Sequence, residues 1–74
     1  MTPESIQQKI QLHLPNATVS VQSEDHIHYQ ATVSSPDFKG MSTLEQHRAV
    51  YAALQDELKE KIHALQLTTT VSET

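Results

Sequence analysis

Five histidines and no cysteine stand in this 74-residue chain, at positions 13, 26, 28, 47 and 63. Imidazole is both a metal ligand and the side chain that changes charge near neutral pH, so these five residues are where chemistry would be sought first. His26 and His28 lie two apart at the start of an alternating apolar run. Strand geometry sends both rings off one face about 7 Å apart, which suits either a shared metal or two solvated rings on a hairpin edge. His47 falls inside a helical apolar stripe, where a hydrogen-bonded boundary residue is the plainer role. His13 ends the first helix, where an imidazolium is favoured by the helix dipole. His63 follows the charged cluster Lys59-Glu60-Lys61 and opens the last strand, from which a side chain can reach the rim beside the turn that bears His26.

The remaining polar residues argue against catalysis. Asp56, Glu57 and Glu60 alternate with Lys59 and Lys61 as on a solvated helix face, and nothing nearby would desolvate a general acid. The lack of cysteine excludes disulfides, thiolate nucleophiles, and any zinc or iron–sulfur site that relies on cysteines of this chain. The single glycine, Gly40, excludes the dinucleotide fingerprint, the P-loop and the hydrolase elbow, each of which needs at least two glycines at set offsets. A non-enzymatic protein is expected.

Five Lys and Arg residues against nine Asp and Glu give a net charge of −4, and Lys9, Lys39, Arg48, Lys59 and Lys61 are scattered. Autonomous binding to nucleic acid or to an anionic membrane is disfavoured. No apolar run approaches the roughly 18 residues of a bilayer span, and Met1-Thr2-Pro3-Glu4 carries neither a signal nor a transit pattern. The expectation is a soluble cytoplasmic protein with no membrane partner.

The elements that must position the histidines can be read from periodicity. Thr2 suits an N-cap ahead of Pro3 and Glu4, and Ile6, Ile10 and Leu14 recur every four residues until Pro15-Asn16 stops the helix. Ala17, Val19 and Val21 alternate, as do Ile27, Tyr29, Ala31 and Val33, with Ser23-Glu24-Asp25 as the polar turn of a β-hairpin. Ser34-Ser35-Pro36-Asp37 breaks the second strand, and residues 38–41 form an irregular link. Ser42 or Thr43 then caps a helix whose stripe is Leu44, His47, Tyr51, Leu54 and Leu58, widened by Val50 and Ala53. A last strand runs from Ile62 to Leu67, with Thr68-Thr69-Thr70 extending or fraying it. A strand, a helical crossover and another strand imply a parallel pair. The fold class is α+β: a compact α-β-β-α-(α)-β domain, with a three-stranded mixed sheet, helices on one face, and Thr18, Ser20, Gln30 and Thr32 on the other, facing water. It is one domain, with a core of about residues 3–68 and a loose tail over 69–74. At this length only about 60% of the unfolded chain's surface is buried on folding, so the core is thin and a large enclosed cavity is not expected.

Three blocks in order carry a resemblance. Ser34-Ser35-Pro36-Asp37-Phe38-Lys39-Gly40-Met41-Ser42, then Leu44-Glu45-Gln46-His47-Arg48-Ala49-Val50-Tyr51-Ala52-Ala53-Leu54, then Ile62-His63-Ala64-Leu65 are similar to the BolA family pattern V-x-S-x-x-F-x-G-x-S, L-x-x-H-R/Q-x-V-Y-x-x-L and I/V-H-A-L. The resemblance covers about Ile6 to Leu67. It implies a class II KH-like fold of order α-β-β-α-α-β, in which residues 42–61 form a short and a long helix. It also implies an adaptor that binds a monothiol glutaredoxin and shares a [2Fe–2S] cluster with it in iron–sulfur trafficking, iron homeostasis and stress response. On that resemblance His63 is a cluster and metal ligand, His26 in the hairpin loop is the second, and His28 ranks behind it as a cofactor-binding residue.

The donor chemistry agrees with half of a shared site. Two imidazoles can replace two thiolates on one iron of a [2Fe–2S] cluster, and the glutaredoxin cysteine and a glutathione thiol would supply the other side. The isolated protein is expected to hold no cluster, and to be a monomer or weak homodimer when free. The competing reading is a nucleic-acid-binding transcriptional regulator using the KH-like or helix-turn-helix-like surface. A KH clamp needs a G-x-x-G loop, and only Lys39, His47 and Arg48 gather near one helix start, so weak nucleic-acid binding at most is expected.

Overall fold

The computed structural model describes residues 2–25, 27–55 and 64–72. Helix α1 spans Pro3–His13 and begins with a reciprocal cap: Thr2 Oγ1 accepts from the Ser5 amide and Ser5 Oγ accepts from the Thr2 amide, both at 3.2 Å. Pro3 at the first turn gives up an N–H that has no intrahelical acceptor there, so the helix starts at little cost. At the other end Gln11 Nε2 donates to the carbonyls of Pro15 and Ala17, at 3.3 and 2.6 Å, in the link that follows the helix, which ties α1 to the start of the first strand. Ile6 and Ile10 are fully buried, as their spacing predicts.

Strands β1 (Thr18–Gln22) and β2 (His28–Ser35) form the antiparallel hairpin, and β3 (Ala64–Val71) adds parallel to β2, giving the order β1-β2-β3. Period-2 alternation puts Val19, Tyr29, Ala31 and Val33 inward, all buried, with Leu65 and Leu67 packed partly against the same cluster. Thr18, Ser20, Gln30 and Thr32 face solvent. The register aligns whole rows on this outer face: Thr18, Ser34 and Thr70; Ser20, Thr32 and Thr68; Gln22, Gln30 and Gln66.

Between β2 and the second helix, Pro36–Phe38 make a 3-10 turn capped by Ser35 Oγ, which accepts from the Asp37 amide at 3.1 Å. This turn drives Phe38 into the core, where it is 1% exposed. Gly40 follows at φ +82, a left-handed conformation that glycine adopts without a Cβ penalty. Helix α2 spans Thr43–Ala53, with Ser42 as N-cap in a capping box with Glu45. Ile6 and Ile10 of α1, the inner sheet face, Phe38, and Val50 and Leu54 at the end of α2 make one cluster, so both helices cover the same face of the sheet.

Four expectations change. The buried line of α2 is Gln46, Val50 and Leu54. Of the expected stripe, Leu54 and the widening residue Val50 are buried as read, but Leu44 is 59% exposed, and His47, Tyr51 and Ala53 are only half-buried. Gln46 tolerates burial because its Nε2 donates to the Met41 carbonyl at 3.0 Å. Ile27 is 47% exposed, because the turn continues through it and the ladder begins only at His28. Ser34 and Ser35 belong to β2 rather than breaking it. The segment 69–71, read as the start of a loose tail, is paired: Thr69, Thr70 and Val71 align with Val33, Ser34 and Ser35, and the Ser72 amide donates to the Ser35 carbonyl at 3.2 Å. β-branched residues opposite an existing strand extend the ladder instead of fraying from it. Leu58, the carboxylates Asp56, Glu57 and Glu60, and the second helix expected before the last strand lie outside the described residues.

Candidate functional site

The turn between β1 and β2 is organised by one carboxylate. Asp25 Oδ1 accepts from the backbone N–H groups of Ile27 and His28, each at 2.9 Å, and Asp25 Oδ2 lies 2.8 Å from His28 Nδ1. A short acidic side chain can satisfy the two amides that follow it because Asp reaches its own backbone two and three residues on. Ser23 Oγ donates to the His28 carbonyl at 2.8 Å, closing the turn from the other side. The backbone N–H of His28, its ring and the Ile27 N–H together hold the Asp25 carboxyl well below its ordinary value.

This turn, His28 and the glutamine row Gln22, Gln30 and Gln66 bound an open groove of about 360 Å³ at the end of the sheet. The first rung of the parallel ladder aligns His28 with Ala64, so the groove lies where β3 begins. His28 is well exposed there, with 70% of its side chain accessible.

The sequence singles out His63, His26 and His28 as cofactor-binding, the first two as metal ligands. His28 is the one whose side chain the structure describes, while His26 and His63 lie outside the described residues. Their chain neighbours are described: Asp25 and Ile27 flank His26 in the turn, and Ala64, next after His63, is paired with His28. His13 ends α1, which leads into β1 at the sheet end opposite the hairpin turn. His47 stands on α2 with its ring edge-on to Tyr51, centroids 6.2 Å apart, and does not line the groove. Asp25 is the residue that reading by histidine count passes over. An Asp three residues ahead of a histidine, at the tip of a hairpin, is the signal that could have found it.

Among the described residues no group of three or more His, Cys, Asp or Glu side chains is arranged to hold a metal ion. The described part of the rim offers one imidazole supported by one carboxylate, with two more imidazoles adjoining in sequence. One imidazole backed by a carboxylate is a single nitrogen ligand with its orienting partner, and any metal group there would draw its further donors from elsewhere. No helix among the described residues is long and apolar enough to cross a membrane.

Comparison with known proteins is consistent across sequence and structure. The chain is 40% identical over 52 residues to the UV-induced protein uvi31 of Schizosaccharomyces pombe, covering 70% of this chain and 51% of that protein. It is 31% identical over 71 residues to the DNA-binding transcriptional regulator BolA of Haemophilus influenzae, covering 84% of this chain and 69% of that one. The chain therefore spans half to two thirds of the length of these relatives. Among solved structures, a bolA protein homologue from Coxiella burnetii superposes with a TM-score of 0.85 at 36% identity, over 99% of this chain and 94% of that one. The model of the BolA-like protein family matches residues 4–73, nearly the whole sequence, and on that match the chain belongs to the BolA family.

Proposed function

We propose that this protein is a non-enzymatic adaptor that docks a monothiol glutaredoxin and contributes imidazole ligands to a shared [2Fe–2S] cluster. The observation that carries the reading is the pairing of His28 with Ala64, the residue after His63, at the rim of an open groove in a chain that has no thiol of its own. When bound, such a cluster supplies redox or cluster-transfer chemistry, and nitrogen ligation on one iron raises its potential. The chain's own part is to hold two imidazoles at a solvent-open edge. His63 is the first ligand. His26 leads the sequence ranking for the second, but the support Asp25 gives the His28 ring, and the place of His28 in the ladder beside Ala64, favour His28. Glutathione and the glutaredoxin cysteine complete the set in a reducing, cytoplasmic setting, and the free protein is a monomer or weak homodimer.

The test is co-purification with a monothiol glutaredoxin in the presence of iron, sulfide and glutathione, followed by visible absorption and circular dichroism. A bridged-cluster spectrum that is lost on His63→Ala, with the fold retained, is expected. An unchanged spectrum in the variant, or iron-loaded colour in the protein purified alone, would overturn the ligand assignment.

A second reading, a nucleic-acid-binding regulator, draws on the relative from Haemophilus influenzae, whose name describes it as DNA-binding. The net charge of −4 weighs against it. Titration with labelled DNA and RNA at about 150 mM salt separates the two, because non-specific contacts give Kd values of about 10⁻⁴ to 10⁻⁶ M, and one tighter than about 10⁻⁷ M would favour the regulator.

A further inference from the structure

An ionised carboxylate has no proton to donate, so a hydrogen bond between it and an imidazole nitrogen requires that nitrogen to carry the proton. Asp25 Oδ2 stands 2.8 Å from His28 Nδ1, while Asp25 Oδ1 is anchored by the Ile27 and His28 amides at 2.9 Å. The carboxylate is thus held in place by the backbone of the residue whose ring it orients. Three bonds to one carboxylate specify both the rotation of the ring and the site of its proton. When the ring is neutral the proton sits on Nδ1, and the lone pair belongs to Nε2, on the side of an imidazole that is 70% accessible.

We propose that Asp25 is a positioning residue that holds His28 as the Nδ1–H tautomer and thereby presents Nε2 to a metal at the rim of the groove. The arrangement is that of a carboxylate, a histidine and a metal in series, in which the outer carboxylate sets the tautomer and raises the basicity of the ligating nitrogen. The inference rests on the iron–sulfur reading for the identity of the metal group. The tautomer itself does not depend on that reading. Glu24, next to Asp25 in the turn, lines the same groove, but it is Asp25 that bonds the ring.

The discriminating substitution is Asp25→Asn in the full chain. An amide oxygen can still accept from the Ile27 and His28 N–H groups, so the turn is retained, but the –NH₂ that replaces Oδ2 cannot accept from Nδ1–H. Long-range ¹⁵N–¹H correlation on the neutral ring reports the tautomer in the free protein, and the Ile27 and His28 amide shifts report the turn. The half-life of the bridged cluster in the glutaredoxin complex reports the ligand. The expected result is Nδ1–H in the wild type, Nε2–H in Asp25→Asn with the turn intact, and a cluster half-life shortened about ten-fold, at the low end of what outer-shell partners of metal ligands contribute. The same tautomer in both proteins would overturn the proposal, and so would a switched tautomer with an unchanged half-life. If the wild-type mixture forms no cluster, the iron–sulfur reading falls and the ligand half of this proposal falls with it. The tautomer pair in the free protein distinguishes that failure from a failure of Asp25 to orient the ring.

Discussion

His28 and Ala64 face one another in the first rung of the parallel β2–β3 ladder, and the Asp25 carboxylate bonds the His28 ring from the hairpin side. A position next to His63 in sequence is therefore aligned with a histidine whose ring is already oriented. In the glutaredoxin complex, His28→Ala is expected to lose more bridged cluster than His26→Ala, read from the visible absorbance per mole of complex. Equal loss, or greater loss with His26→Ala, would return the second ligand to the turn.

The turn should loosen in acid. Asp25 has its carboxyl pKa depressed in the folded state, by the His28 N–H, the His28 ring and the Ile27 N–H in that order, from an ordinary value of 3.8. Glu45 is depressed likewise, chiefly by the Ser42 backbone N–H, from 4.5. A depressed carboxyl contributes stability that is fully present above its unfolded value and is lost as pH falls through the folded one. The Ile27 and His28 amides should stay protected at neutral pH and exchange faster as the pH drops below about 4, whereas Asp25→Asn should flatten that dependence. Amide exchange followed against pH and corrected for the intrinsic rate checks the sign: protection that is unchanged or greater as the pH falls from about 5 to below about 4 would contradict it.

Removing the second helix cap has a cost of known scale. Ser42 Oγ accepts from the Glu45 amide at 3.1 Å, and Glu45 Oε1 accepts from the Ser42 amide at 2.9 Å. Ser42→Ala should lower stability by about 1 kcal/mol, read as a shift in the urea midpoint at unchanged slope.

Gly40 tests the backbone alone. Its φ is +82 and a Cβ added there would meet no atom within 4 Å. Gly40→Ala should therefore destabilise by about 1–2 kcal/mol through conformation and not through contact, and Gly40→Asn should cost less, because Asn tolerates the left-handed region better. Equal losses for the two variants in chemical denaturation would point to a packing cause instead.

Thr69 offers a change in the opposite direction. Its Oγ1 is buried with no hydrogen-bond partner among the described residues, on the strand position aligned with Val33. Thr69→Val replaces an unsatisfied hydroxyl with a methyl of similar shape and should stabilise the protein by about 1 kcal/mol. A lower denaturation midpoint in this variant would show that the hydroxyl is satisfied in solution.

Local signals in the sequence determined the first helix, the hairpin and the polar outer face of the sheet. Thr2 and Pro3 start a helix through their own backbone chemistry, and Ile6 with Ile10, or Val19 with Tyr29 and Val33, mark buried faces by spacing that depends only on helix and strand geometry. The parallel pairing of β3 was legible because a helical crossover leaves few other connections. On α2 the sequence named Val50 and Leu54, which are buried, but it did not separate them from Leu44, His47 and Tyr51, which share their helical spacing, and it missed Gln46. The packed positions are those that join Phe38, Ile6 and Ile10 in one core cluster, a tertiary contact that helical spacing alone does not specify. The end of β3 depended in the same way on the length of its partner: threonines at 68–70 carry no strong signal alone and become strand because β2 extends to Ser35. The site divides along the same line. Histidine number and the absence of cysteine are properties of the sequence alone. That Asp25 bonds the His28 ring is a local contact between residues three apart, with a signal in the short run itself, whereas the alignment of His28 with Ala64 was decided by a ladder register between segments 36 residues apart in the chain, which no short run of residues encodes.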